Sequence, residues 1–322
     1  MLRKAIAKAA PVILATQQLL SAQAIANPLF DGADPDLLLV GNTYWMYPTS
    51  AGSGSELFAY SSNDLSSWTR HGPVLELKNI NWVNDDGAPE HFLWAPGPFA
   101  LDGKYYLYYS VGPQNPTPSR IGVAVADSPE GPFRDLGKAL ITGGDGFEAI
   151  DPMVFKDPKS KKTYLYCGGS AGSRLRVYEL VFQDGSLKSV VQKQVKNPEN
   201  FTEGAFIHFY KGLYYLSYSH GRWNDDSYSV CYSTSKSALG PWNYKGCILS
   251  SDSKHAGPGH HAFFQNPADG QWYIVYHRWN DAVSSGKMPA SRSIAIDKLE
   301  YAANGDLLQV KMTESLVSAG KQ

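Results

Sequence analysis

The chain has 322 residues, 13% of them aromatic, and its 30 glycines and 20 prolines could end many short strands in tight turns. This composition favours a mostly β protein over a helical one. The 29 Lys and Arg residues nearly cancel the 30 Asp and Glu residues, so the chain lacks the basic excess expected for binding nucleic acid or an anionic membrane. We therefore expect a neutral partner, with no nucleic acid and no membrane.

Residues 1–26 are typical of a secretory signal peptide. Arg3, Lys4 and Lys8 precede a moderately apolar segment, and small residues near its end provide cleavage sites. The apolar segment is shorter than the roughly 18 residues that span a bilayer. We predict a secreted or periplasmic protein; the alternative interpretation is a short amphipathic N-terminal helix.

One hairpin pattern occurs five times along the chain. In each copy a polar turn joins an apolar strand to an aromatic one, and the aromatic strands begin at Tyr44, Tyr105, Thr163, Tyr214 and Trp272. This spacing leaves room for about four short strands in each copy. The chain is therefore predicted to be all-β, a five-bladed β-propeller with four antiparallel strands per blade. Two stacked sandwiches would not explain the regular spacing.

A single catalytic domain is predicted over residues 27–316, followed by a C-terminal tail at 317–322. The sequence after the fifth hairpin, residues 292–313, is long enough to supply the third and fourth strands of the last copy. We therefore expect the fifth blade to be completed from the C-terminal end, without an N-terminal strand.

The first strand of each blade lines the axis of a propeller, so equivalent positions near one end of these strands surround a common pit. At similar distances before the aromatic strands, these positions are Asp34, Trp94, Asp151, Glu203 and His260. A proline after each Asp could simply mark the start of a strand. Three carboxyl groups brought together, however, raise one another's pKa and destabilise the fold, which indicates a function.

A ring of carboxyl groups suits the cleavage of a glycosidic bond. One carboxylic acid protonates the leaving oxygen, while a carboxylate across the sugar activates a water molecule. A separation of roughly 6.5–9.5 Å leaves room for that water and gives inversion. A third acid beside the donor keeps the pKa of the donor high, and an aromatic face such as that of Trp94 can stack on the sugar.

Four motifs in this order resemble those of glycoside hydrolase family 43, over essentially the whole mature chain. They are Ala33-Asp34-Pro35, Trp94-Ala95-Pro96, Ile150-Asp151-Pro152 and Thr202-Glu203-Gly204. The resemblance implies Asp34 as the general base, Glu203 as the general acid, and Asp151 as the residue that tunes the pKa of the acid and orients it. Asp36 is a rival for the base, but only Asp34 matches the Asp-Pro of the family.

The resemblance also suggests binding residues. Trp94, Phe206, His260 and Arg278 are assigned to substrate contact. His277 resembles a His that faces a calcium ion and its waters in the central channel. The resemblance implies that no cofactor is required. It implies one possible metal, a structural calcium in the central channel. A buried His bonded to a backbone carbonyl is the alternative for either histidine.

Three further assignments concern individual side chains. His208 and His261 are interpreted as structural, and Trp223 as a candidate for the border of the pocket.

The three cysteines permit one internal disulfide at most. Cys231 and Cys247 lie on two strand-like runs joined by a turn, so either a disulfide or two buried thiols fits the sequence, and Cys167 stays free in both cases.

The resemblance implies an inverting glycosidase acting on a neutral plant cell-wall polysaccharide or oligosaccharide. We expect an α-L-arabinofuranosidase that removes terminal or branching L-arabinofuranosyl residues, and we expect a monomer. A β-xylosidase or an endo-arabinanase of the same family remains an alternative. A non-catalytic carbohydrate-binding propeller is the alternative from another class, although it has no reason to gather three acids at its axis.

Overall fold

Strands make up nearly all of the regular structure. A computed structural model describes residues 24–280 and 291–317. Residues 1–23 of the predicted signal peptide and residues 318–322 of the predicted tail lie outside the described residues. No helix in the two described ranges is long and apolar enough to cross a membrane.

Within residues 24–280 and 291–317 the elements are 22 strands and two short 3-10 helices, Leu77–Asn79 and Val83–Asp86. The strands are β1 (Ala24–Ala26), β2 (Phe30–Val40), β3 (Thr43–Ser50), β4 (Glu56–Ser62), β5 (Thr69–Glu76), β6 (Phe92–Leu101), β7 (Lys104–Gly112), β8 (Arg120–Ala126), β9 (Arg134–Asp135), β10 (Ile141–Thr142), β11 (Met153–Lys156), β12 (Thr163–Cys167), β13 (Arg176–Gln183), β14 (Ser186–Lys193), β15 (Glu203–Tyr210), β16 (Leu213–His220), β17 (Ser229–Ser235), β18 (Asn243–Leu249), β19 (His255–Gln265), β20 (Trp272–Asn280), β21 (Ser293–Leu299) and β22 (Ser315–Val317).

Antiparallel pairing joins consecutive strands into five groups: β2–β5, β6–β10, β11–β14, β15–β18 and β19–β21. In the second group the outer strand is split into β9 and β10, which both pair with β8. The second strand of each group begins within one residue of the predicted aromatic start. The prediction of an all-β protein is therefore confirmed.

The third strand of the fifth group, β21, comes from the C-terminal segment as predicted. The predicted fourth strand does not follow it, because β21 pairs on its other edge with the N-terminal segment. Strand β2 pairs with β21 through Phe30 and Asp31. The Asn27 side chain bonds both the N–H and the C=O of Ile296 in β21. Strand β1, formed by the last residues of the predicted signal peptide, pairs with β22.

The segment after β21 instead packs on the fourth group. The Val310 N–H donates to the carbonyl of Ile248 in β18, at 2.7 Å. Between β21 and β22 the only ladder contact is one isolated bridge, between Tyr301 and Leu307. Because the N-terminal residues already satisfy the backbone of β21, the segment after β21 has no ladder to join there.

The first strands of the groups contact one another in a cycle, in the order β2, β6, β11, β15, β19 and back to β2. Aromatic side chains of the second strands fill the spaces between groups. Tyr47 of β3 packs edge-on against Phe133 with ring centroids 6.0 Å apart, and Tyr44 packs against Phe264 of β19 at 5.6 Å. This burial of aromatic surface explains the aromatic composition of the chain.

Cys231 and Cys247 occupy directly paired positions of β17 and β18 and form a disulfide. Cys167 is buried and free. Of the two arrangements that the sequence left open, the structure adopts the disulfide.

Candidate active site

A local distortion occurs at the head of all five inner strands. One residue at each head has a positive φ: Asp34 (49°), Ala95 (42°), Asp151 (56°), Gly204 (61°) and His260 (38°). Register shifts interrupt β2, β6, β15 and β19 at or close to these residues. Such distortions cost about 1–3 kcal/mol each for non-glycine residues and re-aim side chains, and they concentrate at functional sites.

The distorted heads surround a pocket of about 320 Å³. All five predicted ring positions contribute to its lining, which comprises Asp34, Trp94, Gln114, Ile150, Asp151, Ser170, Glu203, Trp223, His260 and Arg292. The three acids are each less than one-tenth exposed. The structure therefore brings together side chains that lie up to 258 positions apart, from Asp34 to Arg292.

Asp34 is held by donors on every side. Its Oδ2 accepts from the Thr49 hydroxyl at 2.7 Å, and its Oδ1 lies 3.4 Å from the Arg292 guanidinium and 3.3 Å from Nδ1 of His260. Burial alone would raise the pKa of Asp34, but Arg292 and His260 together hold it well below its usual value. Asp34 is consequently ionised and suited to accept a proton.

Glu203 lies in the opposite electrostatic situation. Burial raises its pKa, as does the nearby charge of Asp34, while the Tyr228 hydroxyl, which donates to Glu203 Oε1 at 2.7 Å, and His260 lower it. The net shift is upward. Two carboxyl groups whose pKa values are moved apart by their surroundings are the signature of an acid and base pair.

Asp151, at the head of the third group, is bonded to the head of the fourth. Its Oδ2 accepts from the Gly204 N–H at 3.0 Å, so it bonds the residue directly after Glu203. Burial, together with the charges of Glu203 and Asp34, raises the pKa of Asp151 to about 7, despite the opposing effect of His260. Asp151 is therefore placed to fix the backbone that carries Glu203.

The His260 imidazole bridges Asp34 and Asp151. Its Nδ1 lies 3.3 Å from one carboxylate and 3.7 Å from the other, and its backbone N–H donates to the Ser219 hydroxyl at 2.9 Å. Burial lowers the pKa of His260, but Asp151 and Asp34 outweigh burial and raise it to about 9. His260 is thus a cation that balances the acids as well as a lining residue.

Trp94 lines the pocket wall, as the sequence predicts. Its ring is stacked 5.9 Å from the ring of Phe92. Gly112 lets it lie there, since a Cβ at that position would be 2.1 Å from the Trp94 ring.

Arg278 does not reach the pocket, which corrects the prediction for that residue. It is fully buried, and its guanidinium donates to Asn280, Tyr276 and the carbonyl of Thr313. Neighbouring residues of a strand point to opposite faces, so with His277 directed at Asp34, Arg278 must point away from that side.

A second cation lines the pocket beside His260: Arg292, which was not predicted from the sequence. It lies just before β21, outside the repeated hairpins, so the spacing of the repeats gave no signal for it. Tyr228 and Thr49 were missed for a similar reason, because each acts on a carboxyl group from a strand or loop other than the five heads.

Phe206 is also displaced from its predicted role. It lies along a narrow channel that shares Asp151 and His260 with the pocket, and it packs against Phe263 with ring centroids 5.7 Å apart. Asp36 faces the same channel rather than the pocket, and burial raises its pKa to about 7. His261 is buried along this channel and bonds the Ser217 hydroxyl, and His208 is buried in the neighbouring core and bonds the Tyr301 hydroxyl.

His277 lies against Asp34, the candidate base, and the water-mediated calcium predicted beside it stays a prediction. Its Nδ1 accepts from the Asp34 N–H at 3.1 Å, its ring stacks on Tyr228, and burial together with Arg292 lowers its pKa to about 4. Calcium requires six to eight oxygen ligands, and the described part of the chain contains no group of three or more His, Cys, Asp or Glu residues that could hold a metal. The residues present do not fit a protein-held calcium, and we derive no step through one.

A pocket with one carboxylate whose pKa is lowered, one carboxyl group whose pKa is raised and an aromatic wall defines a class of protein, the hydrolases that break glycosidic bonds by general acid and base catalysis. The comparisons with known proteins agree. The family model of glycosyl hydrolases family 43 matches residues 25–307, and this chain belongs to that family.

Individual relatives support the assignment. A β-D-galactofuranosidase of Aspergillus niger is 35% identical over 89% of this chain and 85% of its own length. A xylosidase/arabinosidase of Bacteroides ovatus is 28% identical over 78% and 82%. The crystal structure of a family 43 β-xylosidase/α-arabinofuranosidase from a compost microbial metagenome, in complex with xylotriose and in a calcium-free form, superposes with a TM-score of 0.69. It shares 28% identity over 88% of this chain and 96% of that chain.

Proposed function

We propose that this enzyme is an inverting α-L-arabinofuranosidase that removes terminal or branching L-arabinofuranosyl residues from plant cell-wall glycans. The observation that carries the proposal is the opposite displacement of the Asp34 and Glu203 pKa values within one pocket. The pocket volume of about 320 Å³ lies at the small end of the roughly 300–1,000 Å³ range of ligand sites, which suits a single terminal sugar.

The proposed reaction assigns one proton transfer to each acid. Glu203 gives its proton to the glycosidic oxygen as the bond to the anomeric carbon breaks. Asp34 takes a proton from the water that attacks this carbon from the opposite face, so the configuration inverts. Asp151 orients Glu203 through Gly204, and His260 and Arg292 stabilise the ionised Asp34.

A second candidate is a β-D-galactofuranosidase, the activity in the name of the Aspergillus niger relative. A β-D-galactofuranosyl ring has the same ring configuration as an α-L-arabinofuranosyl ring and differs in its larger exocyclic group. The same acid and base could therefore serve either sugar.

The proposal is tested with aryl α-L-arabinofuranoside, aryl β-D-galactofuranoside and aryl β-D-xyloside, each assayed with the wild type and with Glu203→Gln. We expect the arabinofuranoside to give the highest kcat/KM, and we expect Glu203→Gln to lose about 10²–10⁴-fold, as for a missing general acid. A preference for the galactofuranoside or the xyloside would move the assignment to that sugar. Equal turnover by the variant would remove Glu203 from the mechanism.

We infer that the five strand groups are the blades of one five-bladed propeller. The cyclic contacts of the first strands support this inference, as does the N-terminal segment that completes the fifth group. In such a fold the five heads must meet at one axis, where the pocket lies.

We also propose that the protein is exported and acts as a monomer. A disulfide between Cys231 and Cys247 is stable in oxidising compartments and rare in the cytosol. N-terminal sequencing of the exported protein should find the first residue at position 25 or 27, and light scattering should give the mass of one chain. An uncleaved chain retained inside the cell would contradict export.

A further inference from the structure

We propose that Trp223 is a stacking platform for the sugar unit that carries the cleaved residue, so that the enzyme recognises a glycan chain and not the terminal sugar alone. This inference rests on the proposed function and assigns the leaving-group side of the same site.

The position of Trp223 at the pocket mouth is the first observation. The side chain is 50% exposed, yet it lines the same pocket as the buried acids. Glu203, Asp151 and Asp34 are each less than one-tenth exposed, so the reacting sugar must lie at the depth of these acids. A half-exposed residue above them meets the part of the substrate that protrudes, which is the leaving group.

The loop that carries Trp223 is fixed by its own hydrogen bonds. The Arg222 N–H donates to the Ser227 hydroxyl at 3.0 Å, and the Ser227 N–H donates to Asp225 at 2.9 Å. Gly221, at φ 90°, lets the chain close, because a Cβ there would lie 2.3 Å from the Ser227 carbonyl. The loop thus holds an indole in solvent at a defined place, where burial gives it little stability.

The loop is also connected to the proton donor. It ends at Tyr228, whose hydroxyl donates to Glu203. The platform and the group that protonates the leaving oxygen are therefore held by one short segment.

One face of the indole is already occupied. The Arg292 guanidinium lies 5.3 Å from the ring centroid of Trp223, within the range of a cation–π contact. This contact orients the ring and leaves the other face to a neutral ligand, such as a pentosyl or hexosyl unit whose C–H face packs on an aromatic surface.

The contact between Trp223 and Arg292 suggests a second explanation for any effect of Trp223, and the test must distinguish it from sugar stacking. Arg292 also lies 3.4 Å from Asp34, so Trp223 could act only by holding Arg292 against the base. In that case its removal would change the pH profile and would affect all substrates alike.

The test compares two substrates with the same cleaved sugar, a methyl glycoside and a glycoside on a xylotriose or arabinotriose chain. An aryl aglycone is avoided because it would stack on the indole itself.

For Trp223→Ala we expect KM for the oligosaccharide to rise about tenfold with kcat unchanged. For the methyl glycoside we expect both KM and kcat to stay within about twofold of the wild type. Trp223→Phe should recover part of the loss, and Leu136→Ala, at an exposed apolar residue that does not line the pocket, should change nothing.

Equal losses on both substrates, or no loss on either, would overturn the platform. A displaced acid limb in the pH profile together with equal losses would assign Trp223 to the support of Arg292 instead. If the wild type cleaves neither substrate, the proposed function fails separately, and calorimetric titration of the oligosaccharide still tests the platform. It should bind about tenfold more weakly to Trp223→Ala than to the wild type, and equal affinity would reject the inference.

Discussion

Asp34 and Glu203 are both buried, yet their neighbours move their pKa values in opposite directions. Cations surround Asp34, and Arg292 and His260 overcome the effect of burial. Around Glu203 burial prevails. A base with a low pKa and an acid with a raised pKa give a bell-shaped pH profile, in which kcat/KM rises as Asp34 ionises and falls as Glu203 loses its proton.

Arg292→Met is predicted to move the acid limb of kcat/KM to higher pH. Without the cation the pKa of Asp34 rises, so a higher pH is required to ionise the base. The alkaline limb should move in the same direction, because Arg292 also lowers the pKa of Glu203. The measurement is the pH dependence of kcat/KM, with Arg292→Lys as the control that retains a charge. An unchanged acid limb would show that Arg292 does not control the base.

The site residues that the sequence predicted best were those set by the repeat. Asp34, Trp94, Asp151, Glu203 and His260 occupy equivalent heads, so one structural rule placed all five on the same pocket. Arg292 has no counterpart in the other copies, and only the folded chain shows where it lies. Strand alternation from His277 could have excluded Arg278 in advance.

At the scale of the elements, Thr49 of the first strand group bonds both the proposed base, Asp34, and the second strand group. Its hydroxyl donates to Asp34 and accepts from the Ala95 N–H at 2.7 Å. It therefore links β3, the head of β2 and the distorted head of β6, where Trp94 lines the pocket. A single hydroxyl fixes two of the five heads relative to each other.

Thr49→Val is predicted to lower the free energy of unfolding by about 1–3 kcal/mol, because it leaves the buried Ala95 N–H without a partner. The acid limb of activity should also move to higher pH, since Asp34 loses a donor. Urea unfolding and the pH profile measure the two effects. Thr49→Ser keeps the hydroxyl and serves as the control; a loss of the same size in that variant would point to packing of the methyl group instead.

The starts of strands could be predicted where they depend on a local sequence pattern. They were harder to predict where a strand pairs with a segment far away in the sequence. The second strands begin where their aromatic runs predict. The completion of the fifth group depends on residues at opposite ends of the chain, and two segments could compete for β21. The side-chain amide of Asn27 bonds the N–H and C=O of Ile296, where a neighbouring strand would otherwise bond β21. The periodicity of the sequence does not predict this contact.

For the whole molecule, the first and last described residues of the chain meet beside the fifth group. Strands β1 and β22 pair with each other, and the buried Asn27 amide also lies 3.3 Å from the Thr313 hydroxyl. Because all five heads surround one pocket, holding the ends together also preserves the geometry of the site.

Asn27→Ala is predicted to lower the free energy of unfolding by about 1–3 kcal/mol, since it removes hydrogen bonds to buried backbone groups of Ile296. Activity at low temperature should be nearly unchanged, because Asn27 does not line the pocket. Thermal unfolding monitored by circular dichroism makes the comparison. Asn304→Ala, in an exposed turn, is the control; equal melting temperatures for both variants would argue against a role of Asn27 in joining the ends.

The stereochemical course of hydrolysis tests the central claim, that Asp34 and Glu203 act as base and acid on opposite faces of the sugar. Proton NMR can follow the first minutes of cleavage of an aryl α-L-arabinofuranoside, before the released sugar equilibrates. The account predicts that the β anomer of L-arabinose accumulates first and that the α anomer follows by mutarotation. Initial release of the α anomer would mean that configuration is retained, and a carboxylate acting as a nucleophile would then replace the proposed base.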